Sequence, residues 1–426
     1  MMNVLWITNT CFPEAQSLLI GNEEFKTSGG WLIGASEQLS KTGEISLSVM
    51  TMSKLVNRLT YLKGKYIQYI IVPYCSDSFS NKVRKQLQEI KDKIEPDIVH
   101  IHGTEYPLGL SYIQTCGSDN VIVSIQGLIG EISKYYLYGI RTRDIILNYT
   151  LRDLLCGSLY SEKKDFQKRS ELEKVTLMRV KHVIGRTSFD HDHVLSINNN
   201  VNYHFCNETL RNEFYTGMWS YQNCDKHRIF LSQASYPIKG LHYFLQSLPY
   251  VRQKYPDVKV FIAGFDLTCR NGSIWRKLLV PGYGLYIRKL IDNLKLNDVV
   301  YFTGSLNAYE MKEQLLKSNV FVCPSIVENS PNSLGEAQML GVPCIASYVG
   351  GVPDMIPNAA CGLMYRCEDS EMLAQRIMEV FDSSSTLNME EMRSVAHLRH
   401  SPDRNLIRLV DIYSSILRNL NNLKEE

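Results

Sequence analysis

Short apolar runs, rich in Val and Ile and without clean alternation, recur along the whole chain and are separated by longer stretches of helical period. In the first half they are Val4–Ile7, Leu47–Met50, Tyr69–Val72, Ile98–Ile101, Val121–Ile125 and His182–Ile184. In the second half they are Arg228–Leu231, Val258–Ala263, Val299–Phe302, Val320–Cys323 and Pro343–Ala346. Such runs suit strands buried on both faces of a parallel sheet. Between them, Leu241, Phe244, Leu245, Leu248 and Val251 keep helical spacing after Gly240, in a helix that should stop before Pro256. Leu334, Met339 and Leu340 lie in another, closed by Gly341 with Pro343 just beyond. Strand–helix alternation repeated through both halves predicts an α/β fold of two doubly wound, Rossmann-like domains.

A length of 426 residues suits two domains better than one. Periodicity lapses in CNETLRNEFYTGMWSYQNCDKH, so the first domain is expected over residues 1–205 and the second over 206–404. The stretch Asn405–Leu420 returns to helical period, with Leu406, Leu409, Val410 and Tyr413 along one face. Residues 405–426 are therefore expected to cross back onto the first domain.

The composition, 44% hydrophobic and 21% charged, excludes a disordered, collagen-like or disulfide-stapled chain. With 46 basic and 44 acidic side chains the net charge is +2, so no global field recruits nucleic acid and no nucleic-acid partner is expected. The 11 cysteines form no Cys-x-x-Cys pair and no zinc-spaced cluster. With no basic leader at the start, they read as reduced thiols in a cytoplasm. No stretch approaches the roughly 18 apolar residues of a membrane span. The expected location is cytoplasmic, at most peripheral on a membrane.

Open α/β sheets bind ligands beyond the carboxyl ends of their strands. In Thr27-Ser28-Gly29-Gly30-Trp31, two glycines at a helix start let backbone N–H groups approach an anion or a sugar. No G-x-G-x-x-G follows the first strand, which removes the main support for a dinucleotide dehydrogenase. In Tyr236-Pro237-Ile238-Lys239-Gly240-Leu241 a lysine stands near a strand end, where it can meet a phosphate as a point charge.

The densest region runs from Val320 to Ile356. Glu328 falls in a post-strand loop and Glu336 in the helix that follows, whereas the equally spaced Glu371 and Glu379 share one helical stretch. If Asn332 or Ser333 caps that helix, its N–H groups point at the loop mouth and stabilise an anion by roughly 0.3–1 kcal/mol. Glu336 can then accept two ribose hydroxyls and Glu328 can face a sugar, so that one diphosphate-sugar ligand uses every feature of the loop. Asp190-His191-Asp192 reads as a helix start and not as a metal motif. The stretch 134–169 mixes aromatic and basic residues. It is either a peripheral membrane contact that receives a lipid-linked glycan or a solvated helical insert.

Taken together, PIKG, ENSPNSLGE followed by A-x-x-x-G-x-P, VGGVPD, SGGW, PDIVHIHG and VSIQG resemble the retaining glycosyltransferases of family 4, whose GT-B architecture sets two Rossmann-like domains across a cleft. The resemblance implies that Glu328 lies against the donor sugar, Glu336 holds the nucleotide ribose and Lys239 neutralises the donor diphosphate. It puts Asn332, Ser333 and Leu334 in the loop-to-helix segment that touches sugar and phosphate, and Gly29 and Gly30 in the N-terminal glycine turn, Gly30 toward the donor and Gly29 on the acceptor side.

There are two departures from the family pattern. Where the family has an arginine before the lysine, this chain has Ala234, beside Gln233; Arg211 is expected to supply the second cation, with Arg186 next. The family histidine in the loop matching VSIQG is Gln126, which can hydrogen-bond a sugar hydroxyl but cannot titrate near neutrality. His102 is the nearest substitute on the acceptor side.

The implied activity is transfer of a hexose-type sugar from a nucleotide-diphosphate donor, UDP before GDP, to a hydroxyl of a glycan or lipid-linked glycan. The anomeric configuration would be retained, with no metal and no cofactor beyond the nucleotide-sugar, in surface polysaccharide assembly. A sugar-nucleotide epimerase or hydrolase on the same fold, and a catalytically silent donor-binding subunit, are the alternatives.

Overall fold

The computed structural model describes residues 1–21, 30–270, 279–383 and 386–425. They form two compact units. The first contains Met1–Gly130, Lys168–Arg211 and Arg399–Glu426; the second contains Glu131–Gln167 and Asn212–Leu398.

The sheet of the first unit is built from β1 (Met2–Ile7), β2 (Ile45–Ser53), β3 (Thr60–Lys63), β4 (Gln68–Pro73), β5 (Ile98–His102), β6 (Val121–Ser124), β7 (His182–Gly185) and β8 (Asn202–Phe205). Its order is β3-β4-β2-β1-β5-β6-β7-β8. Every neighbouring pair is parallel except β3 with β4. In the central strand Val4 faces Leu47 on one side and Ile98 on the other, and Val4 to Ile7 are at most 2% exposed. That is why the strand reads as an unbroken apolar run.

One face packs Leu5, Ile7, Val99 and Ile101 against Leu108 and Tyr112. The other packs Val4, Trp6 and Ile98 against Leu39 and the C-terminal helix Pro402–Glu425, through Ile412, Tyr413 and Ile416. A polar network is embedded there: the Trp6 indole donates to the Tyr413 hydroxyl at 3.0 Å, which lies 2.5 Å from His100 Nδ1, while His100 Nε2 lies 2.6 Å from Ser124 Oγ.

The second unit has β9 (Arg228–Leu231), β10 (Lys259–Ile262), β11 (Val300–Phe302), β12 (Val320–Cys323), β13 (Cys344–Ser347) and β14 (Leu363–Tyr365), all parallel, in the order β11-β10-β9-β12-β13-β14. Both units are therefore doubly wound α/β, the fold class expected. Each sheet grows outward in both directions from its first strand. The order reverses between β1 and β5 in one unit and between β9 and β12 in the other. Loops at such a switch point splay apart and leave a ligand-sized crevice.

Two expectations are corrected. Residues 131–167, which the sequence places in the first domain, pack in the second unit. Tyr136, Ile140, Ile145 and Leu159 share a buried cluster with Leu241, Phe244 and Tyr283. Polar anchors reinforce this: Asp153, which caps its own helix with Thr150, also accepts the Gly282 N–H at 3.0 Å, and His242 Nε2 lies 3.1 Å from the Tyr138 carbonyl. The chain also changes units at Arg211 and again at Arg399, six residues from each expected boundary. Among the described residues no helix is long and apolar enough to cross a membrane.

Candidate functional site

In the second unit the loops after β9 and β12 meet at the switch point. The first makes a single 3₁₀ turn, Pro237–Lys239, closed by Gly240 at φ 69°, where only glycine sits without strain. A β-carbon on Gly240 would overlap the Pro324 carbonyl oxygen. The Ile326 N–H donates to the Ile238 carbonyl at 2.7 Å. These contacts clamp the loops together and fix where Lys239 points.

Its ammonium forms an ion pair with Glu328, and both side chains are less than one-fifth exposed. Glu328 also accepts from Ser325 Oγ at 2.7 Å, and its carbonyl accepts the Gly351 N–H at 3.1 Å. Burial alone would push Lys239 down. The Glu328 carboxylate, with Tyr236 nearby, outweighs it and holds the ammonium above the ordinary lysine range. Lys239 is thus a fixed cation across the neutral range.

The helix Asn332–Leu340 begins beside this pair in sequence, but its N-cap is Pro331 and no side chain caps it. Neither Asn332 nor Ser333 is the cap, as the sequence reading allowed. They are the first two helical residues, because Pro331 fits the extended conformation before the helix and has no N–H to satisfy. Leu334 and Gly335 donate to the Pro331 carbonyl, whereas the amides of Asn332 and Ser333 precede the first carbonyl a helix can offer them. Asn332 Oδ1 is buried with no hydrogen-bond partner among the described residues. Glu336 lies within the helix and is 3% exposed, and Leu334 is fully buried. Ala234, at the family's arginine position, is 1% exposed and packs in the core; the outward side chain is Gln233, which donates to Tyr236 Oη at 3.3 Å.

In the first unit, Gly30 opens the helix Gly30–Lys41 and the stem of Arg211 lies over it, 3.3 Å from where a β-carbon would stand. Gly29 lies outside the described residues. Arg186, the second candidate cation, is 4% exposed and is committed locally: it pairs with Glu208 and donates to the Ile125 and Gln126 carbonyls at 3.2 and 3.1 Å. Gln126 Nε2 donates to Glu208 Oε1 at 3.0 Å. Gln126, Arg186 and Glu208 are therefore one cluster.

His102 is 6% exposed, its ring 3.8 Å from that of His100 and 4.3 Å from that of Trp6, and neither ring nitrogen has a partner among the described residues. Burial, with His100 beside it, pushes its pKa well below the ordinary histidine value, so the ring is neutral at pH 7. Together with Trp31, Gln38, Ser124, Arg186 and Glu208 it lines a solvent-open pocket enclosing about 580 Å³.

Asp190 is the capping-box residue of the helix Ser188–Ile197, accepting from Arg186 N–H and the Tyr203 hydroxyl, so this triplet is indeed a helix start. Among the described residues no group of His, Cys, Asp or Glu could hold a metal ion. Sequence reading missed Ser325 and Glu208. Glu208 carries a signal in the CNETLR stretch, but its partner Arg186 is far away in sequence; a serine two residues past a strand carries none.

Residues 220–395 match the family Glycosyl transferases group 1. Over 153 residues, 35% of this chain and 40% of the relative, the sequence is 29% identical to N-acetyl-alpha-D-glucosaminyl L-malate synthase of Bacillus anthracis. The chain matches between 24% and 41% of the length of such curated relatives. Sucrose-phosphate synthase of Thermosynechococcus elongatus superposes with a TM-score of 0.71 at 15% identity, covering 98% of this chain and 100% of that one. HepE of Anabaena, solved with UDP-glucose, superposes with a TM-score of 0.65 at 12% identity, over 97% and 100%. The second unit, with its clamped Lys239 and Glu328, thus carries the region similar to Glycosyl transferases group 1, in a chain with the GT-B fold.

Proposed function

We propose that the protein is a retaining glycosyltransferase that moves a hexose-type sugar from a nucleotide-diphosphate donor to a hydroxyl of a glycan or lipid-linked glycan in surface polysaccharide assembly, at a cytoplasmic location. The observation that carries this reading is the Lys239–Glu328 pair, clamped at the switch point of the second unit and followed by a helix whose first amides have no internal acceptor. The barrier lies in breaking the bond between the anomeric carbon and a phosphate oxygen. Lys239 and the helix start stabilise the charge that develops on the diphosphate. Glu328 faces the sugar and Glu336 the ribose, with Asn332, Ser333 and Leu334 lining the diphosphate. The acceptor hydroxyl attacks on the face the leaving group departs from, and its proton passes to the leaving phosphate oxygen. With Lys239 and backbone dipoles in place, no metal is needed for this charge.

Of the two candidates for a second cation, Arg211, whose stem lies over Gly30, comes first, and Arg186, which pairs with Glu208, second. Gln126 and His102 belong to the acceptor side, on the first unit. A UDP-sugar is favoured over a GDP-sugar by the likeness to a fold solved with UDP-glucose.

The test is nucleotide release from UDP-, GDP- and ADP-sugars, with and without a crude glycolipid extract. Release from one donor only when extract is present is the expected result. Release without it would favour the epimerase or hydrolase, and silence in folded protein the donor-binding subunit.

The stretch 134–169 supplies the peripheral membrane contact of this reading. Ile146, Leu147, Leu151, Leu154 and Leu155 on its short helices, and Tyr149 in the link between them, are between 51% and 68% exposed, with Arg141 and Arg143 exposed beside them. An apolar face flanked by arginines matches an anionic lipid surface.

A further inference from the structure

The second unit brings its ligand groups together where its strand order reverses, and the first unit has the same kind of place, between β1 and β5. Two polar side chains meet there. Asn9, two residues past β1, donates through Nδ2 to Glu105 Oε2 at 3.2 Å and to the His102 carbonyl at 3.4 Å. Glu105 stands three residues past β5, and the backbone is shaped to let its carboxylate fold back over the strand end. Gly103 has φ 89°, and a β-carbon there would overlap Glu105 Oε2. Any other residue at this position would displace the carboxylate as well as strain the backbone. Asn9 is exposed and Glu105 partly so, which leaves the pair open to a ligand.

We propose that Glu105, bridged by Asn9 across the switch point of the first unit, is an acceptor-binding residue that takes a hydrogen bond from a sugar hydroxyl. The inference rests on the reading that this unit receives the glycan acceptor. A carboxylate that accepts from the Asn9 amide and from its own backbone N–H still has lone-pair directions left to accept from a sugar hydroxyl.

The charges around it tune this role. Burial pushes Glu105 up to about 7 and Glu173 adds to the rise, while its own backbone N–H, then Arg169 and Arg186, oppose it. Glu173 itself accepts from Thr104 Oγ1 at 2.6 Å and from the N–H groups of Ile129 and Gly130, and the Arg169 guanidinium lies 5.9 Å from the Tyr106 ring centre. A hydroxyl donor favours the ionised form of Glu105, so sugar binding strengthens as pH rises through neutrality.

The test uses full-length protein and three probes, methyl α-glucoside, methyl α-mannoside and methyl β-galactoside, read by saturation-transfer NMR. At least one binds the wild type, several-fold more tightly at pH 8 than at pH 6. Glu105→Ala weakens it by roughly tenfold, as loss of a hydrogen bond to a charged group does. Glu105→Gln binds weakly with no pH dependence, and Asn9→Ala weakens binding while moving its pH midpoint. Thermal melts report whether each variant is folded. If Glu105 only supported the loop, Glu105→Gln would keep the wild-type pH profile. That outcome overturns the proposal, as does binding of no probe to the wild type, or undiminished binding by Glu105→Ala. UDP binding by the wild type, measured separately, reports on the glycosyltransferase reading. Failure of UDP with glycoside binding intact would discard that reading and leave the sugar site.

Discussion

Gly240 and Pro324 pack so closely that a β-carbon on the glycine would overlap the proline's carbonyl oxygen, and this contact joins the loop carrying Lys239 to the loop carrying Glu328. Gly240→Ala therefore forces the loops apart and also places a non-glycine residue at positive φ. Such strain costs about 1–3 kcal/mol before the overlap is counted. The melting temperature of the second unit is expected to fall by several degrees. Donor turnover should fall more steeply than stability predicts, since the ion pair opens. Wild-type turnover in a folded Gly240→Ala variant would show that the clamp does not set the geometry of the pair.

Lys239→Ala is expected to lower turnover by about two to three orders of magnitude, the scale on which preorganised charge stabilisation acts. The variant should also melt earlier, because Glu328 is left as a nearly buried carboxylate with Ser325 as its remaining side-chain donor. Glu328→Gln tests the partner without leaving a bare charge. The raised pKa of Lys239 carries a sign: the stability it confers is complete below the ordinary lysine value and is lost only as pH climbs through the higher folded value. Turnover against pH should thus show no alkaline limb from Lys239 below about pH 10. Near-normal turnover in Lys239→Ala sinks the role assigned to it.

The strands that sequence reading found and those it missed differ in one physical respect. β3, β8 and β14 were missed, and all three are sheet edges; β14, Leu363–Tyr365, is apolar but only three residues long. An edge strand is covered on fewer sides, so Asn202–Phe205 can be polar and none of its residues is fully buried. Of the edge strands only β11 was legible, through Val300 and Phe302. The Lys239–Glu328 site was legible because turn-forming residues and charges sit together after strand runs. Residues 131–167 were not, because the helices Ile129–Tyr135, Thr142–Leu147 and Leu151–Cys156 are each only about two turns long. Ile145 is buried and its neighbour Ile146 exposed, and nothing local says which core accepts the first. Ala234 is a related case: the family resemblance implies an arginine there, but its side chain faces the core, so Ala234→Arg would bury a cation and not restore one.

His100 holds Tyr413 and Ser124 together inside the first unit, and burial lowers its pKa to about 3. A histidine held below its unfolded value stabilises the fold fully only above that value, about 6.5, and the stability is lost as pH falls toward the folded one. Between pH 6.5 and 4.5 this amounts to about 2–3 kcal/mol for one such residue. His100→Phe should be less stable at pH 7, where the Tyr413 and Ser124 hydroxyls each lose their hydrogen bond to the ring, yet decline less steeply on acidification. Parallel melting curves against pH for the two proteins would place the acid sensitivity elsewhere.

Leu154 and Leu155 are 68% and 67% exposed, neighbours in one helix that ends at Cys156. Solvated aliphatic side chains gain by entering a lipid interface, roughly 1.5–3 kcal/mol for each fully buried leucine. Replacing both with aspartate removes that gain and adds repulsion from anionic headgroups, while altering folding stability little, because neither side chain packs in the core. In flotation with vesicles of phosphatidylglycerol and phosphatidylcholine at low salt, the wild type should rise with the lipid and the double variant should remain largely below. Raising salt should weaken the wild type only in part, since screening reaches the contribution of Arg141 and Arg143 but not the apolar one. A wild type that stays with the soluble fraction at low salt would mean that this face meets something other than a bilayer.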